Sequence, residues 1–188
     1  MTSSDPTMGR DDLLDLLRNL GSRLQQQGLS ADLYVVGGAA IALAFDHRRV
    51  TRDVDAAFRP ADVVREEAHR LAEQRGLPDD WLSSAALAFA PPGPDTDAVP
   101  LDLPGLAVSV ASPEHLLAMK LAAGRERDLT DLVVLFEALD ITRPEQALRI
   151  ARRLYGEESA ILTDPDQSYL WLAEDVLDLA RHRREPRG

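Results

Sequence analysis

The run Asp32-Leu-Tyr-Val-Val36 breaks off at Gly37-Gly38, and this junction constrains the fold more than any other feature of the chain. Residues rich in β-branched and aromatic side chains form a short strand, and paired glycines end it in a tight turn. The alanine-rich Ala39 to Phe45 that follows favours a buried helix and gives way to the charged Asp46-His-Arg-Arg49. Val50 to Phe58 then alternates apolar and polar residues around Val54, Ala56 and Phe58, the period of a half-buried strand. Two short strands joined through a glycine turn and a helix call for a sheet with helices packed on it.

The flanking segments extend this pattern. Residues 1–10 are small, polar and proline-containing, which predicts a frayed lead-in. Leu13, Leu17, Leu20 and Leu24 recur at helical spacing, so 11–27 reads as an amphipathic helix stopped by Gly28. Pro60 opens a helix to about Gln74, closed by Gly76-Leu-Pro78. Six of the twelve prolines stand at 78, 91, 92, 94, 100 and 104, so this region reads as loop, with short strands near 87–90 and 101–103. Leu106 to Val110 is a further strand, and Ser112-Pro113-Glu114 starts a helix with a capping hydroxyl and a first-turn proline. Helices are expected over 113–124, 128–139, 143–155 and 166–184, the third opened by the capping box Thr142-x-x-Glu145.

The element order predicts an α+β fold: a small mixed sheet flanked by helices, then a helical C-terminal half. The expected organisation is a frayed 1–10, an α/β core over 11–111 and a helical region over 112–188 packed on that core. A chain of 188 residues suits one ordinary domain with a helical annex. Its 45% apolar and 28% charged residues are a globular balance, and no apolar stretch approaches the roughly 20 residues of a membrane span.

Composition removes several chemistries. The absence of cysteine excludes disulfides, thiolate zinc sites, iron–sulfur clusters and cysteine nucleophiles. The four histidines, His47, His69, His115 and His182, show no paired metal-ligand spacing. Acidic residues outnumber basic ones by 32 to 21, and the net charge of −11 opposes nonspecific binding to DNA or an anionic membrane. No basic-then-apolar leader opens the sequence, so the reading is a cytoplasmic protein. Any RNA contact requires a local basic groove, for which Arg48, Arg49, Arg52 and Arg59 are candidates.

Two segments carry candidate chemistry. A strand-end Gly37-Gly38 lets backbone N–H groups approach a phosphate closely, aided by the helix that begins there; the same pair also fits a tight turn and nothing more. Asp53 and Asp55, two apart on a strand, face one side and suit a hard cation such as Mg²⁺, or equally a solvated edge paired with Arg48, Arg49 and Arg52. Further along, a continuous helix would set Lys120, Arg127 and Asp131 on one stripe with Asp128 at its edge, and Gly124 can break that register. Lys120 also fits a stem laid over apolar neighbours with its ammonium in water. His115 reads as a local polar residue of a helix start. Trp81, Tyr169 and Trp171 read as core or interface anchors or as base-stacking platforms. The basic Arg181-His-Arg-Arg184 suits an acidic partner, RNA or its own helix dipole.

Tyr34-Val-Val-Gly-Gly38 followed by Thr51-Arg-Asp-Val-Asp55 resembles the DNA polymerase β-type nucleotidyltransferase superfamily, in which a strand, Gly-Gly and a short helix precede Asp-x-Asp on the next strand. More closely, the chain is similar to the AbiEii/MenT-type nucleotidyltransferases found as toxins in bacterial toxin–antitoxin pairs, and to their uncharacterised relatives. Residues 113–135 resemble the downstream block of those proteins, a lysine followed by Arg-Asp-x-x-Asp, and the resemblance spans roughly 32–140. It implies Mg²⁺-dependent transfer of a nucleoside monophosphate from an NTP to a tRNA 3′ end or a protein hydroxyl, with a cognate antitoxin as a further partner. It also implies that Gly37 and Gly38 hold the nucleotide phosphates, that Asp53 and Asp55 are catalytic metal ligands, and that Lys120 meets the triphosphate. Asp128 and Asp131 match acidic positions that bind metal or nucleotide, orient the lysine or shape the acceptor site.

Two departures stand out. The later-strand carboxylate of many such enzymes has only Asp102 as its counterpart, and the related Asn-Asp after an aromatic-Leu pair is replaced by Trp81-Leu-Ser-Ser84. They support an alternative, a catalytically degenerate nucleotide- or protein-binding module.

Overall fold

The computed structural model describes residues 7–184. The chain forms two compact units, Met1–Ala88 with Asp97–Ala111, and Phe89–Thr96 with Ser112–Gly188.

The first unit is built on a five-stranded mixed sheet: β1 (Ala31–Val36), β2 (Val54–Arg59), β3 (Leu82–Ser83), β4 (Val99–Leu103) and β5 (Leu106–Val110), in the order β3-β2-β1-β5-β4. β1 is antiparallel to β2 and parallel to β5; β2 is parallel to β3, and β4 is antiparallel to β5. Register aligns Val35 with Ala56 and Val110, and Leu33 with Val108, so one face of the sheet is apolar and buried. Alternation then puts Asp55 on the opposite face, with Ala57 and Tyr34. Helices α1 (Arg10–Gln26), α2 (Gly37–Ala44) and α3 (Ala61–Arg75) pack on this sheet and on one another. Leu13, Leu17, Leu20 and Leu24 are fully buried, which accounts for the helical period read from the sequence.

Between α1 and α3 lies a buried ionic contact. Glu67, 2% exposed, accepts from Arg23 Nε at 2.8 Å and pairs with Arg70 at 2.5 Å. Burial alone raises a carboxyl pKa; here hydrogen bonds from Gln27 and Arg23 and the charges of Arg23 and Arg70 outweigh it and hold Glu67 below its ordinary value.

The second unit contains α4 (Pro113–Ala123), α5 (Leu129–Ala138), α6 (Pro144–Tyr155) and α7 (Asp166–Arg184). α4 packs on α5 and α6, and α7 on α5 and α6. Ser112 caps α4, its hydroxyl accepting the His115 N–H at 3.4 Å, as its Ser-Pro-Glu start predicts. Every residue from His115 to Leu121 is buried, so α4 has no solvated face. No helix among the described residues is long and apolar enough to cross a membrane.

Several expectations need correction. The second strand begins at Val54 instead of Val50, because Thr51 is engaged by Met8 through backbone hydrogen bonds of 2.6 and 3.0 Å. Residues 85–89 form a 3₁₀ turn where a strand was expected, and the two-residue β3 precedes it. The start of α6 is capped by Gln146, whose side-chain oxygen accepts the Thr142 and Arg143 N–H groups at 2.9 Å each, and not by Glu145. Of the stretch expected to fray, residues 1–6 lie outside the described residues, Met8 is buried and Arg10 opens α1.

Candidate functional site

β1 runs directly into α2, with Val36 as the N-cap and Gly37-Gly38 as the first helical residues. Gly37 has φ +66°, a conformation that side chains with a Cβ adopt at a cost. A Cβ there would also stand 3.3 Å from Asp55 Oδ2. At Gly38 a Cβ would meet Thr51 Oγ1 at 2.9 Å and the Arg49 guanidinium at 3.3 Å. Both glycines are therefore required by their neighbours: Gly37 faces a carboxylate, and Gly38 lets the residue-51 loop close against the helix start. The first N–H groups of any helix lack intrahelical acceptors and favour negative charge.

Asp55 lies on β2 and its carboxylate is oriented. Ser83 Oγ donates to Oδ1 at 2.7 Å across the parallel β2–β3 pair, and the Ala86 N–H donates to the same oxygen at 3.4 Å. Oδ2 is the oxygen turned to Gly37. Asp53 is exposed and stands just before the strand, so its direction is set by the loop and not by strand alternation. Thr51, 7% exposed, donates toward its carbonyl at 3.2 Å and its carboxylate at 3.3 Å.

The donor chemistry of Asp53 and Asp55 is that which a hard divalent cation takes. Two carboxylates offer oxygen ligands only, and the glycine at position 37 leaves beside Asp55 Oδ2 the space a Cβ would fill. Mg²⁺ commonly takes one or two carboxylates and completes its shell with phosphate and water. Among the described residues no group of three or more His, Asp or Glu gathers for metal. Asp102 is exposed on β4, opposite Ala107.

A second cluster is confined to the helical unit. Gly124, at φ +57°, ends α4, and a 3₁₀ turn at Glu126–Asp128 leads into α5. The register of a single continuous helix is thus broken, yet the turn brings both acids to the lysine. Lys120 Nζ donates to Asp128 Oδ1 at 2.7 Å and to Asp131 Oδ2 at 2.8 Å. Lys120 is 7% and Asp131 1% exposed, so the ammonium is not in water. These two bonds use two of the three ammonium donors.

A third group was missed by the sequence. Asp95, in the 89–96 segment of the helical unit, accepts the Ser112 N–H at 2.8 Å and lies 3.2 Å from His115 Nδ1. His115 Nε2 is buried without a hydrogen-bond partner, a state that costs about 1–3 kcal/mol. Trp81 is a core anchor, fully buried with its indole N–H on the Ala68 carbonyl at 2.9 Å; Tyr169 is buried and Trp171 is 59% exposed.

Residues 11–150 match a family model described as "Nucleotidyltransferase of unknown function (DUF6036)". The chain belongs to this family. The matched span contains Gly37, Gly38, Asp53, Asp55, Lys120, Asp128 and Asp131. Among solved structures, the chain is similar to an antigenic nucleotidyltransferase-like protein from Paracoccidioides brasiliensis, at 16% identity and TM-score 0.46, over 84% of this chain and 94% of that one. No curated protein matches. Ser83 and Thr51 join this nucleotidyltransferase family member's candidate site only through hydrogen bonds, so neither carries a motif that a linear reading could find.

Proposed function

We propose that the protein is a Mg²⁺-dependent nucleotidyltransferase that moves a nucleoside monophosphate from an NTP to an acceptor hydroxyl and releases pyrophosphate. The observation that carries this reading is Asp55, fixed through Oδ1 by Ser83 and Ala86 with Oδ2 turned to a glycine at φ +66°, where a Cβ would stand 3.3 Å away.

Asp53 and Asp55 hold the cation, which when bound neutralises triphosphate charge and favours ionisation of the attacking oxygen. Gly37 and Gly38 present the α2 N–H groups to the nucleotide phosphates. By the family resemblance Lys120 meets the triphosphate, and Asp128 and Asp131 act as positioning residues that hold its ammonium. Asp131 serves catalysis through Lys120; a nucleotide contact for Asp128 rests on the family resemblance. The acceptor is a tRNA 3′ end or a protein hydroxyl by that same resemblance, as is membership of a toxin–antitoxin pair. Growth arrest on induction, abolished by Asp53→Ala, tests the toxin role.

The experiment for the transfer itself is incubation of the protein with each α-labelled NTP, Mg²⁺ and total RNA or lysate. Label in one RNA or protein species with wild type and not with Asp53→Ala supports transfer.

A module that binds nucleotide or protein without turnover is the second reading, favoured by the exposed position of Asp102. Calorimetry separates the two: NTP affinity indifferent to Mg²⁺, with no pyrophosphate released, favours the module.

A further inference from the structure

One aromatic ring shares the sheet face that carries Asp55. On its other side the sheet buries Leu33, Val35, Ala56, Val108 and Val110, each 3% exposed or less. On the Asp55 side, register sets Tyr34 of β1 between Ala57 of β2 and Ser109 of β5. Tyr34, Ala57, Ser109 and Asp55 are half-buried, and the next residues along this face, Asp32, Arg59 and Ala107, are exposed. The face therefore opens to solvent beside the ring.

The partners of Tyr34 are not those of a ring kept for packing. Aromatic side chains on a sheet gain most from aromatic or β-branched residues on the adjacent strands. Tyr34 has an alanine on one side and a serine on the other, and neither reaches across its ring. Asp55 is its diagonal neighbour on β2, at the spacing of about 7–8 Å that an aromatic side chain still spans. Along β1, Tyr34 precedes Gly37 by three positions, about 10 Å of strand. A ribose and its first phosphates bridge such a distance. Of the rings named above as base platforms, only Trp81 belongs to the sheet unit, and it is fully buried.

We propose that Tyr34 is the platform on which the base of the bound NTP stacks. The proposal rests on the transferase reading above and adds the nucleobase contact that this reading lacks. The phosphates lie toward Gly37, and the base lies back along β1 over the ring, where Ala57 and Ser109 leave it room. Every base has a π-face, so a ring in this role gives affinity for nucleotides without choosing among the four.

The test is calorimetry in Mg²⁺ with each NTP and with inorganic tripolyphosphate, which has the phosphates and no base. Wild type, Tyr34→Phe, Tyr34→Leu, Ala57→Leu and Asp55→Asn are compared, each shown by thermal melting to be folded. The platform predicts that Tyr34→Phe binds NTP as wild type does. It predicts that Tyr34→Leu weakens NTP about 5- to 100-fold and leaves tripolyphosphate unchanged. Ala57→Leu, which raises a branched side chain against the ring, is expected to weaken NTP in the same selective way. NTP affinity at the wild-type level in folded Tyr34→Leu or Ala57→Leu overturns the platform. An equal loss of NTP and tripolyphosphate overturns it too, since a ring that only supports the strand disturbs both. A rise in KM for acceptor RNA with NTP affinity unchanged also overturns it, by giving the ring to the acceptor. Each of these results leaves the transferase reading intact if Asp55→Asn loses Mg²⁺-dependent NTP binding. No binding of any NTP by wild type overturns the transferase reading and the platform with it.

Discussion

Ser83 Oγ donates a 2.7 Å hydrogen bond to Asp55 Oδ1 across the parallel β2–β3 pair. The bond fixes one carboxylate oxygen and turns the other toward Gly37. In the proposed Mg²⁺ site such a hydroxyl would orient a ligand without touching the metal. Ser83→Ala is expected to fold normally and to weaken Mg²⁺-dependent NTP binding about 10- to 100-fold. Titration of NTP by calorimetry with and without Mg²⁺ checks it; unchanged affinity in Ser83→Ala removes Ser83 from the site.

Gly37→Ala combines a left-handed backbone with a Cβ 3.3 Å from Asp55 Oδ2. The backbone term costs about 1–2 kcal/mol. Its expected signature is a modest fall in denaturant midpoint together with a loss of nucleotide binding larger than the fall in stability explains. Equal NTP affinity in a folded Gly37→Ala contradicts the assignment of this turn to the phosphates.

Lys120 is buried between Asp128 and Asp131 in the helical unit. Lys120→Met removes an ammonium from Asp128 and the 1% exposed Asp131, and removing one partner of a buried pair costs about 3–5 kcal/mol. Asp131→Asn retains a polar partner and one net charge fewer, so it should cost less. Urea unfolding of the two variants checks the order. A Lys120→Met protein as stable as wild type contradicts a structural part for the Lys120 contacts to Asp128 and Asp131.

Glu67 makes stability depend on pH. Its folded pKa is depressed below the ordinary 4.5, so its contribution is fully present above about that value and is lost as pH falls through the folded pKa. Glu67→Gln is therefore expected to lose about 1.5–3 kcal/mol at pH 7 and to show a shallower acid limb below pH 4.5. Thermal melts between neutral and acid pH decide it; identical limbs for the two proteins contradict the ion pairing with Arg23 and Arg70.

Where the sequence is legible, the signal is local. Ser112-Pro113 announces α4 because a cap acts within one turn, and the leucine spacing of α1 follows from a single buried face. The Gly-Gly turn is readable as a junction, but its reason is not: Thr51 and Asp55 meet it from another part of the chain. β3 is too short to carry a period, and the preference of Gln146 over Glu145 as the cap depends on side-chain reach. Trp81-Leu-Ser-Ser84 reads as the loss of a polar site residue, whereas Ser83 places a hydroxyl on Asp55. The Asp95–His115 contact joins a proline-rich loop to a helix start, a distant pairing for which neither segment holds a pattern.

The measurement that bears most directly on the central claim is transfer of label from each α-labelled NTP, with Mg²⁺ and total RNA or lysate, by wild type and by Asp55→Asn. The account predicts one labelled RNA or protein species with wild type, dependent on Mg²⁺ and absent with Asp55→Asn. Equal labelling by the two proteins, or none from any NTP with folded wild type, contradicts it.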